Sequence, residues 1–286
     1  MNSAYDPLGP LIEHLHGDGR LRVWSLVITI FGDAIQPRGG RISSLRLQEI
    51  LGRMRIEAGA LRTAMSRLTK EGWVLREREG RRTFYRLSDR GVATFEPATR
   101  RIYASPDRAL VDQWVVGLVP PRARLEADIR AVKGFVVGGN GLWTGADAPG
   151  SGWFADRGIL TVTGVLGALP KAVATELAPV EAREAYQRLI ADFSAVQARD
   201  LTGLDALAAR ILLIHRWRRI VLRNPDLPNA FQPENWPGTP CRVLVAEKYR
   251  RLSAEADAWL QSPLAGGVTA LPAPDAWYLA RFQSSR

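Results

Sequence analysis

Between Ser44 and Leu87 the apolar residues change their spacing, and that change restricts the folds open to this chain more than any other feature. Leu47, Ile50 and Leu51 recur at helical spacing behind Ser44, a residue type that caps helix N-termini, which predicts a short helix through Gly52. A turn around Met54 to Ile56 leads into Glu57 to Glu71. There Leu61, Ala64, Met65 and Leu68 share one helical face, and Gly72 closes the segment as a C-terminal cap. The period then falls to two. Trp73-Val74-Leu75-Arg76-Glu77-Arg78 and Thr83-Phe84-Tyr85-Arg86-Leu87 read as strands joined by the turn Glu79-Gly80-Arg81-Arg82.

Upstream, Leu21 to Ile35 carries Val23, Leu26, Val27, Ile30 and Phe31 at helical spacing before Gly39-Gly40 breaks the chain. Downstream, Ser88 caps a further helix that Pro97 interrupts or ends. Three helices followed by a hairpin form the winged helix-turn-helix arrangement, in which the second helix crosses the DNA backbone and the third enters the major groove. With the apolar stripe of Glu57 to Glu71 buried, Arg62, Thr63, Ser66, Arg67 and Lys70 are left on the opposite face. Arginine there can pair bidentately with guanine O6 and N7, and hydroxyls reach bases or phosphates. We expect Arg62, Ser66 and Arg67 to read bases, and Ser44, Arg46, Lys70, Arg78, Arg81 and Arg82 to hold phosphates. The bland alternative is a solvated set of charges on an amphipathic helix and hairpin.

Charge weighs against the bland alternative for the set as a whole. The chain carries 39 basic and 29 acidic residues, 39 − 29 = +10. From Arg20 to Arg90 there are 16 basic and 7 acidic residues, 16 − 7 = +9, so nearly all the excess lies in this one stretch. A localised positive field concentrates phosphate backbones around it. Arginine supplies 35 of the basic residues, a bias that genomic base composition also produces, and it carries no further argument.

The remaining two thirds have other textures. Gln113 to Val119 and Phe135 to Val137 read as strands around a helix over Arg122 to Lys133. A Gly-rich stretch, Gly138 to Gly158, follows, and then a strand over Ile159 to Leu166. This predicts a small α+β domain, for which a ferredoxin-like topology is one option. Glu181 to Ala198, Leu204 to Arg223 and Arg242 to Leu260 read as helices, with a Pro-rich link at Asn224 to Pro240 and an irregular tail after Pro263. The fold class expected is thus α+β multidomain, divided at 1–104, 105–175 and 176–286.

A second cationic cluster lies in the third segment: His215, Arg216, Trp217, Arg218, Arg219 and Arg223, followed by Trp236-Pro237-Gly238. No acid intervenes between Asp205 and Asp226, whereas five arginines do, Arg210 included. Arginines and two tryptophans beside a rigid loop can hold a phosphorylated or nucleotide-bearing ligand. The alternative is that Trp217 and Trp236 are core or dimer residues and that the arginines pair with acids elsewhere.

Several classes are excluded or disfavoured. At 46% hydrophobic and 24% charged the chain can bury a core, so it is neither a disordered tail nor a fibre. One cysteine, Cys241, gives no internal disulfide, and three histidines make a structural zinc site improbable. Val23 to Phe31, the most apolar run, is far short of the roughly 20 residues that span a bilayer, and no secretory pattern opens the sequence. The expected setting is cytoplasmic, with no membrane partner. Gly138-Gly139-Asn140-Gly141 lacks the spacing of a phosphate-binding fingerprint and reads as a turn. No catalytic motif, metal site or bound cofactor is expected, and the chain is read as a non-enzyme.

At these residues the chain resembles the PaaX family, bacterial repressors of phenylacetate catabolism. The likeness rests on Leu61-Arg62-Thr63-Ala64-Met65-Ser66-Arg67-Leu68, Glu71-Gly72-Trp73 and Tyr85-Arg86-Leu87-Ser88. More specific are His215-Arg216-Trp217-Arg218-Arg219, Asp226-Leu227-Pro228 and Trp236-Pro237-Gly238. Trp217 stands where that family leads one to expect tyrosine, Ile220-Val221-Leu222 replaces a more aromatic run, and Asn224 replaces a commoner acid. The resemblance implies a winged helix, a middle domain similar to the Cas2 ferredoxin-type fold and a helical C-terminal domain. It implies a homodimer that binds double-stranded operator DNA of a phenylacetate operon and is released by an acyl-CoA such as phenylacetyl-CoA. The effector-binding set is then His215, Arg216, Trp217, Arg218, Arg219, Arg223 and Trp236. Two rival readings are a non-specific architectural DNA-binding protein and a metal-dependent nuclease built on the middle domain. Salt-sensitive, sequence-blind binding would mark the first, and metal-dependent cleavage the second.

Overall fold

The structure is a computed structural model and describes residues 6–17, 21–106, 113–132, 134–145, 148–165, 167, 170–178, 180–223, 232–265 and 268–283. The chain divides into two compact units that alternate along the sequence. One takes residues 1–106, 188–219 and 241–286, and the other 107–187 and 220–240.

The first unit opens with α1 (Gly9–Gly17) and α2 (Val23–Ile30). The helix expected as far as Ile35 does continue, but its last turn widens: Phe31–Ile35 is a π turn and Gln36–Arg38 a 3-10 turn. A π turn moves the hydrogen bond from i−4 to i−5 and frees carbonyls of the ordinary ladder. Here Gly32 O and Asp33 O accept from Arg281 at 2.9 and 2.8 Å, and Ala34 O accepts from Arg38 at 3.2 Å.

Next come β1 (Arg41–Ser43), α3 (Ser44–Arg53) and α4 (Ala58–Lys70). The hairpin of β2 (Val74–Glu79) and β3 (Arg82–Leu87) follows, then α5 (Asp89–Ile102). The hairpin is antiparallel with Glu79 opposite Arg82, and Gly80 takes a φ of 59° in the turn. β1, not foreseen in the sequence, pairs with β3 to give the sheet order β1-β3-β2. The cap of α3 is Ser43, one residue before the expected Ser44; its hydroxyl accepts the Arg46 N–H at 3.2 Å. Pro97 does not end α5. Ser88 caps that helix through the Gly91 N–H at 3.0 Å, and it runs on to Ile102 with Pro97 inside.

In the second unit, β4 (Trp114–Leu118), α6 (Glu126–Ala131), β5 (Phe135–Val137), β6 (Asn140–Thr144), α7 (Ser151–Ala155) and β7 (Leu160–Gly164) succeed one another. Their sheet is antiparallel throughout, in the order β5-β6-β4-β7. The Gly-rich stretch is therefore not formless. Gly138 and Gly139, at φ 55° and 80°, make the two-residue turn between β5 and β6, a conformation only glycine adopts without strain. Successive residues of β6 face opposite sides, so Leu142 joins Trp114 and Phe135 while Trp143 joins Ile129, Phe154 and Ile159. Trp143 is fully buried against Gly134 and Gly141, where a Cβ would lie 2.5 and 2.0 Å from its ring. α8 (Lys171–Leu177) follows the sheet.

The last helices are α9 (Val180–Ser194), α10 (Gly203–Arg223), α11 (Gly238–Leu260) and the short α12 (Ala276–Leu279). From Ala206 to His215 every residue of α10 is buried, Arg210 included, which marks it as a core helix. The tail is not loose. Tyr278, Arg281 and Phe282 are buried in the first unit, and Phe282 N–H donates to Tyr103 O at 2.9 Å. No described helix is long and apolar enough to cross a membrane.

Candidate nucleic-acid interface

α4 buries Leu61, Ala64, Met65 and Leu68, as its periodicity requires, and exposes Arg62, Thr63, Ser66, Arg67 and Lys70. Thr63 donates its hydroxyl proton to Gly59 O at 3.1 Å, so only its oxygen lone pairs face outward. Arg67 donates to Glu71 at 2.7 Å and lies 5.2 Å from the Trp24 ring, which steadies its direction while more than half the side chain stays in solvent. That guanidinium, assisted by the Trp73 indole N–H at 3.2 Å, holds the Glu71 carboxyl below its ordinary pKa. Replacing an exposed i,i+4 partner by a base or phosphate costs little.

The hairpin arranges its charges in the same way. Arg41 on β1 lies 3.7 Å from the Phe84 ring and donates to Glu77 at 2.9 Å and to Glu79. Arg86 donates to Glu77 at 2.7 Å. These two arginines, which the sequence pattern did not single out, keep Glu77 ionised below its ordinary pKa and offset the acids of the hairpin. Arg78, Arg81 and Arg82 remain exposed at and beside the turn. The arrangement can present cations to a phosphate backbone from an arginine-bearing helix and from the turn of the hairpin.

Two of the expected phosphate contacts change. Ser44 is the first residue of α3, half-exposed and not its cap. Arg46 is fully buried: its guanidinium donates to Trp259 O at 3.0 Å and to Ser262 O and Thr269 O, and sits 4.9 Å from the Trp259 ring. Burial lowers its pKa, and it serves to tie α3 to the end of α11. The helical phase carried the signal, because Arg46 lies one turn before the buried Ile50.

The cluster on α10 is corrected more extensively. Trp217 is fully buried and donates its indole N–H to Ile102 O at 2.8 Å. His215 is buried against Thr29 Oγ1 at 2.9 Å, and its pKa falls to about 3 through burial and then the charges of Arg218 and Arg219. Arg218 donates to Thr29 at 3.0 Å, and Arg216 pairs with Asp192. In the second unit Trp236 is buried edge-on to Tyr186, with Arg183 over its ring. Arg223 is exposed. Of the seven residues expected to hold an effector, His215, Trp217 and Trp236 are buried, and half-buried Arg216 and Arg218 are engaged by partners within the protein. Asn224 and Asp226-Leu227-Pro228 lie outside the described residues.

Sequence reasoning did not find a buried polar network in the first unit. Asp33, on the π turn, accepts from Tyr103 at 2.8 Å, Tyr249 at 3.0 Å and Arg210 at 3.0 Å. Arg210 also donates to Asp257 and Tyr278, each at 2.7 Å, and Arg38 pairs with Asp257 at 2.7 Å. Burial alone would lower the pKa of Arg210, but Asp33, the two tyrosines and Asp257 hold it well above its ordinary value. Burial likewise pushes the Tyr103 and Tyr249 hydroxyls well up, so both remain donors. This is architecture rather than an exposed site. Among the described residues no three His, Cys, Asp or Glu side chains gather where a metal ion could be held.

Comparison with known proteins places the chain. Residues 22–91 match the PaaX-like protein family, and residues 178–262 match the PaaX-like protein C-terminal domain. The transcriptional repressor PaaX of Escherichia coli (strain K12) is 30% identical, across 96% of this chain and 94% of its own. A solved structure, the uncharacterized protein Rv0674 from Mycobacterium tuberculosis, is similar in fold with a TM-score of 0.53 at 21% identity, over 82% of this chain and 97% of that one. Both family segments together with a relative of that extent show that this chain belongs to the PaaX family.

Proposed function

We propose that this chain is a sequence-specific transcriptional repressor that inserts α4 into the major groove of an operator and sets the β2–β3 hairpin on the adjoining backbone. The observation that carries the reading is the α4 face: Arg62, Ser66, Arg67 and Lys70 stand exposed opposite a buried apolar stripe, beside a hairpin with exposed arginines. Arg62, Ser66 and Arg67 read bases; Lys70, Arg78, Arg81 and Arg82 hold phosphates. The order α2, α3, α4, hairpin supports a winged helix-turn-helix for the first unit. The order β–α–β–β–α–β with the sheet β5-β6-β4-β7 supports a ferredoxin-type, Cas2-like fold for the second. The name of the Escherichia coli relative supports repression. By the same family likeness the protein works in the cytoplasm as a homodimer, governs a phenylacetate catabolic operon and is released by an acyl-CoA such as phenylacetyl-CoA.

Fluorescence anisotropy on DNA from upstream of the chain's own gene, against a scrambled duplex at fixed salt and with a phenylacetyl-CoA titration, tests this. Selective binding relieved by the thioester is the expected result. Selective binding that ignores it would remove the effector from the proposal, and equal binding to both duplexes would replace the repressor with an architectural protein.

A further inference from the structure

The two arginines on the exposed face of α4 are not equivalent. Among the described residues Arg62 has no hydrogen-bond, ion-pair or ring partner, whereas the Arg67 guanidinium lies over the Trp24 ring, 5.2 Å from its centroid. Trp24 is half-buried in the first turn of α2, outside both α3 and α4. Its ring stands on a fixed element. Leu26 to Ile30 of α2 are buried, and Arg218 on α10 donates to Ser25 O and Thr29 Oγ1.

The two partners of Arg67 act on it differently. Glu71 accepts the Nε–H at 2.7 Å, so that contact uses a donor. A ring attracts a cation through its electron-rich face and uses none. Trp24 therefore restricts where the guanidinium can go and leaves the Nη1 and Nη2 donors free, with 55% of the side chain in solvent to present them. Two N–H groups side by side match O6 and N7 of guanine. A side chain already confined near its docking position has less rotamer freedom to lose when it binds. That advantage is realised only in the pose the ring allows, so it favours one base pair over the duplex at large.

We propose that Trp24 is a specificity-determining positioning residue that acts through Arg67, holding the guanidinium so that it reads one guanine. The proposal rests on the DNA reading and deepens it, since base choice at Arg67 is set by a residue outside α3 and α4. The test is fluorescence anisotropy of the full chain on the DNA it selects upstream of its own gene. Beside it stand duplexes with each G·C pair in turn replaced by A·T, and a scrambled duplex. The wild type loses roughly tenfold or more at one G·C pair, which Arg67→Ala identifies by ceasing to distinguish it. Trp24→Leu keeps apolar bulk without a ring. It cuts discrimination at that pair by about fivefold or more and leaves the other pairs and the scrambled duplex within about twofold of wild type. Trp24→Phe, which restores a ring, recovers most of the loss. Should Trp24→Leu not fold by far-UV circular dichroism, Trp24→Met carries the same expectations. Unchanged discrimination in the folded ringless variant, a loss spread equally over all pairs and scrambled DNA, or a Phe variant no better than Leu would overturn the proposal and leave the DNA reading standing. A wild type that binds selected and scrambled duplexes alike would overturn both.

Discussion

The arginines of α4 and the hairpin carry the same charge as those of α10, and the two sets differ only in their surroundings. Arg62 and Arg67 stand in solvent, and the partner of Arg67 is one exposed carboxylate four residues away. Arg210 has no exposed surface and holds Asp33, Asp257 and Tyr278 at once. An exposed guanidinium can be turned toward a new acceptor at small cost, whereas a buried one is bound to carboxylates that cannot be left without it. The first set is therefore available for recognition, and the second holds the unit together.

Removing a member of the buried set should have the largest effect. Arg210→Met removes the guanidinium that joins Asp33 to Asp257, leaving them Arg281 and Arg38 alone, and is expected to destabilise the fold by about 3 kcal/mol in urea unfolding. Arg62→Ala should leave the midpoint within about 0.5 kcal/mol of wild type. A wild-type midpoint for Arg210→Met would erase the distinction between the two sets.

Between pH 7 and 5, above the range in which Glu71 and Glu77 take up protons, acid should act on the α10 side. Buried His215 has a folded pKa lowered to about 3, while the unfolded chain takes up the proton near the ordinary value of 6.5. The unfolded state thus binds more protons between those limits. The stability from keeping His215 neutral is complete above pH 6.5 and is lost as the pH falls toward 3, at about 1.4 kcal/mol per pH unit. Urea midpoints at pH 7, 6 and 5 for wild type and His215→Gln measure this, and parallel lines would show that His215 is not held neutral.

What could be read from the sequence follows the range of the forces involved. α4 was legible because one residue in every three or four must face the core, and Leu61, Ala64, Met65 and Leu68 obey that locally. The same rule, applied one turn earlier on α3, would have placed Arg46 inside beside Ile50. Along α10, Trp217 repeats the stripe of Arg210 and Ile214 at seven- and three-residue steps, so its burial was also legible in the phase and was overridden by the charge pattern. The Asp33 network was not legible, because Gly32 and Arg281 meet across 249 residues of sequence and no local signal links them. β6 was hidden by Gly141, which is there to admit the ring of Trp143 and not to end a strand.

On the exposed side, base reading and phosphate holding separate by selectivity. Arg67→Ala should cost about 1–3 kcal/mol on the operator and much less on scrambled DNA. Lys70→Ala should weaken both duplexes alike and lower the slope of log K against log salt by roughly 0.9. If Arg67→Ala lost equally on both duplexes, α4 would be a phosphate-binding helix and the contrast with α10 would reduce to exposure.

The smallest effect addresses how free the exposed arginine is. Glu71 competes with DNA for Arg67, so Glu71→Gln should release the guanidinium and remove a negative charge facing the phosphates. The expected gain in operator affinity is no more than about twofold, as suits an exposed i,i+4 pair. A double-mutant cycle with Arg67→Ala assigns that gain, since it should vanish once Arg67 is absent. If Glu71→Gln instead weakened operator binding through Arg67, the carboxylate would be aiming the guanidinium at its base. Arg67 would then share with Arg210 a dependence on its acid, and the two sets would differ in degree of commitment and not in kind.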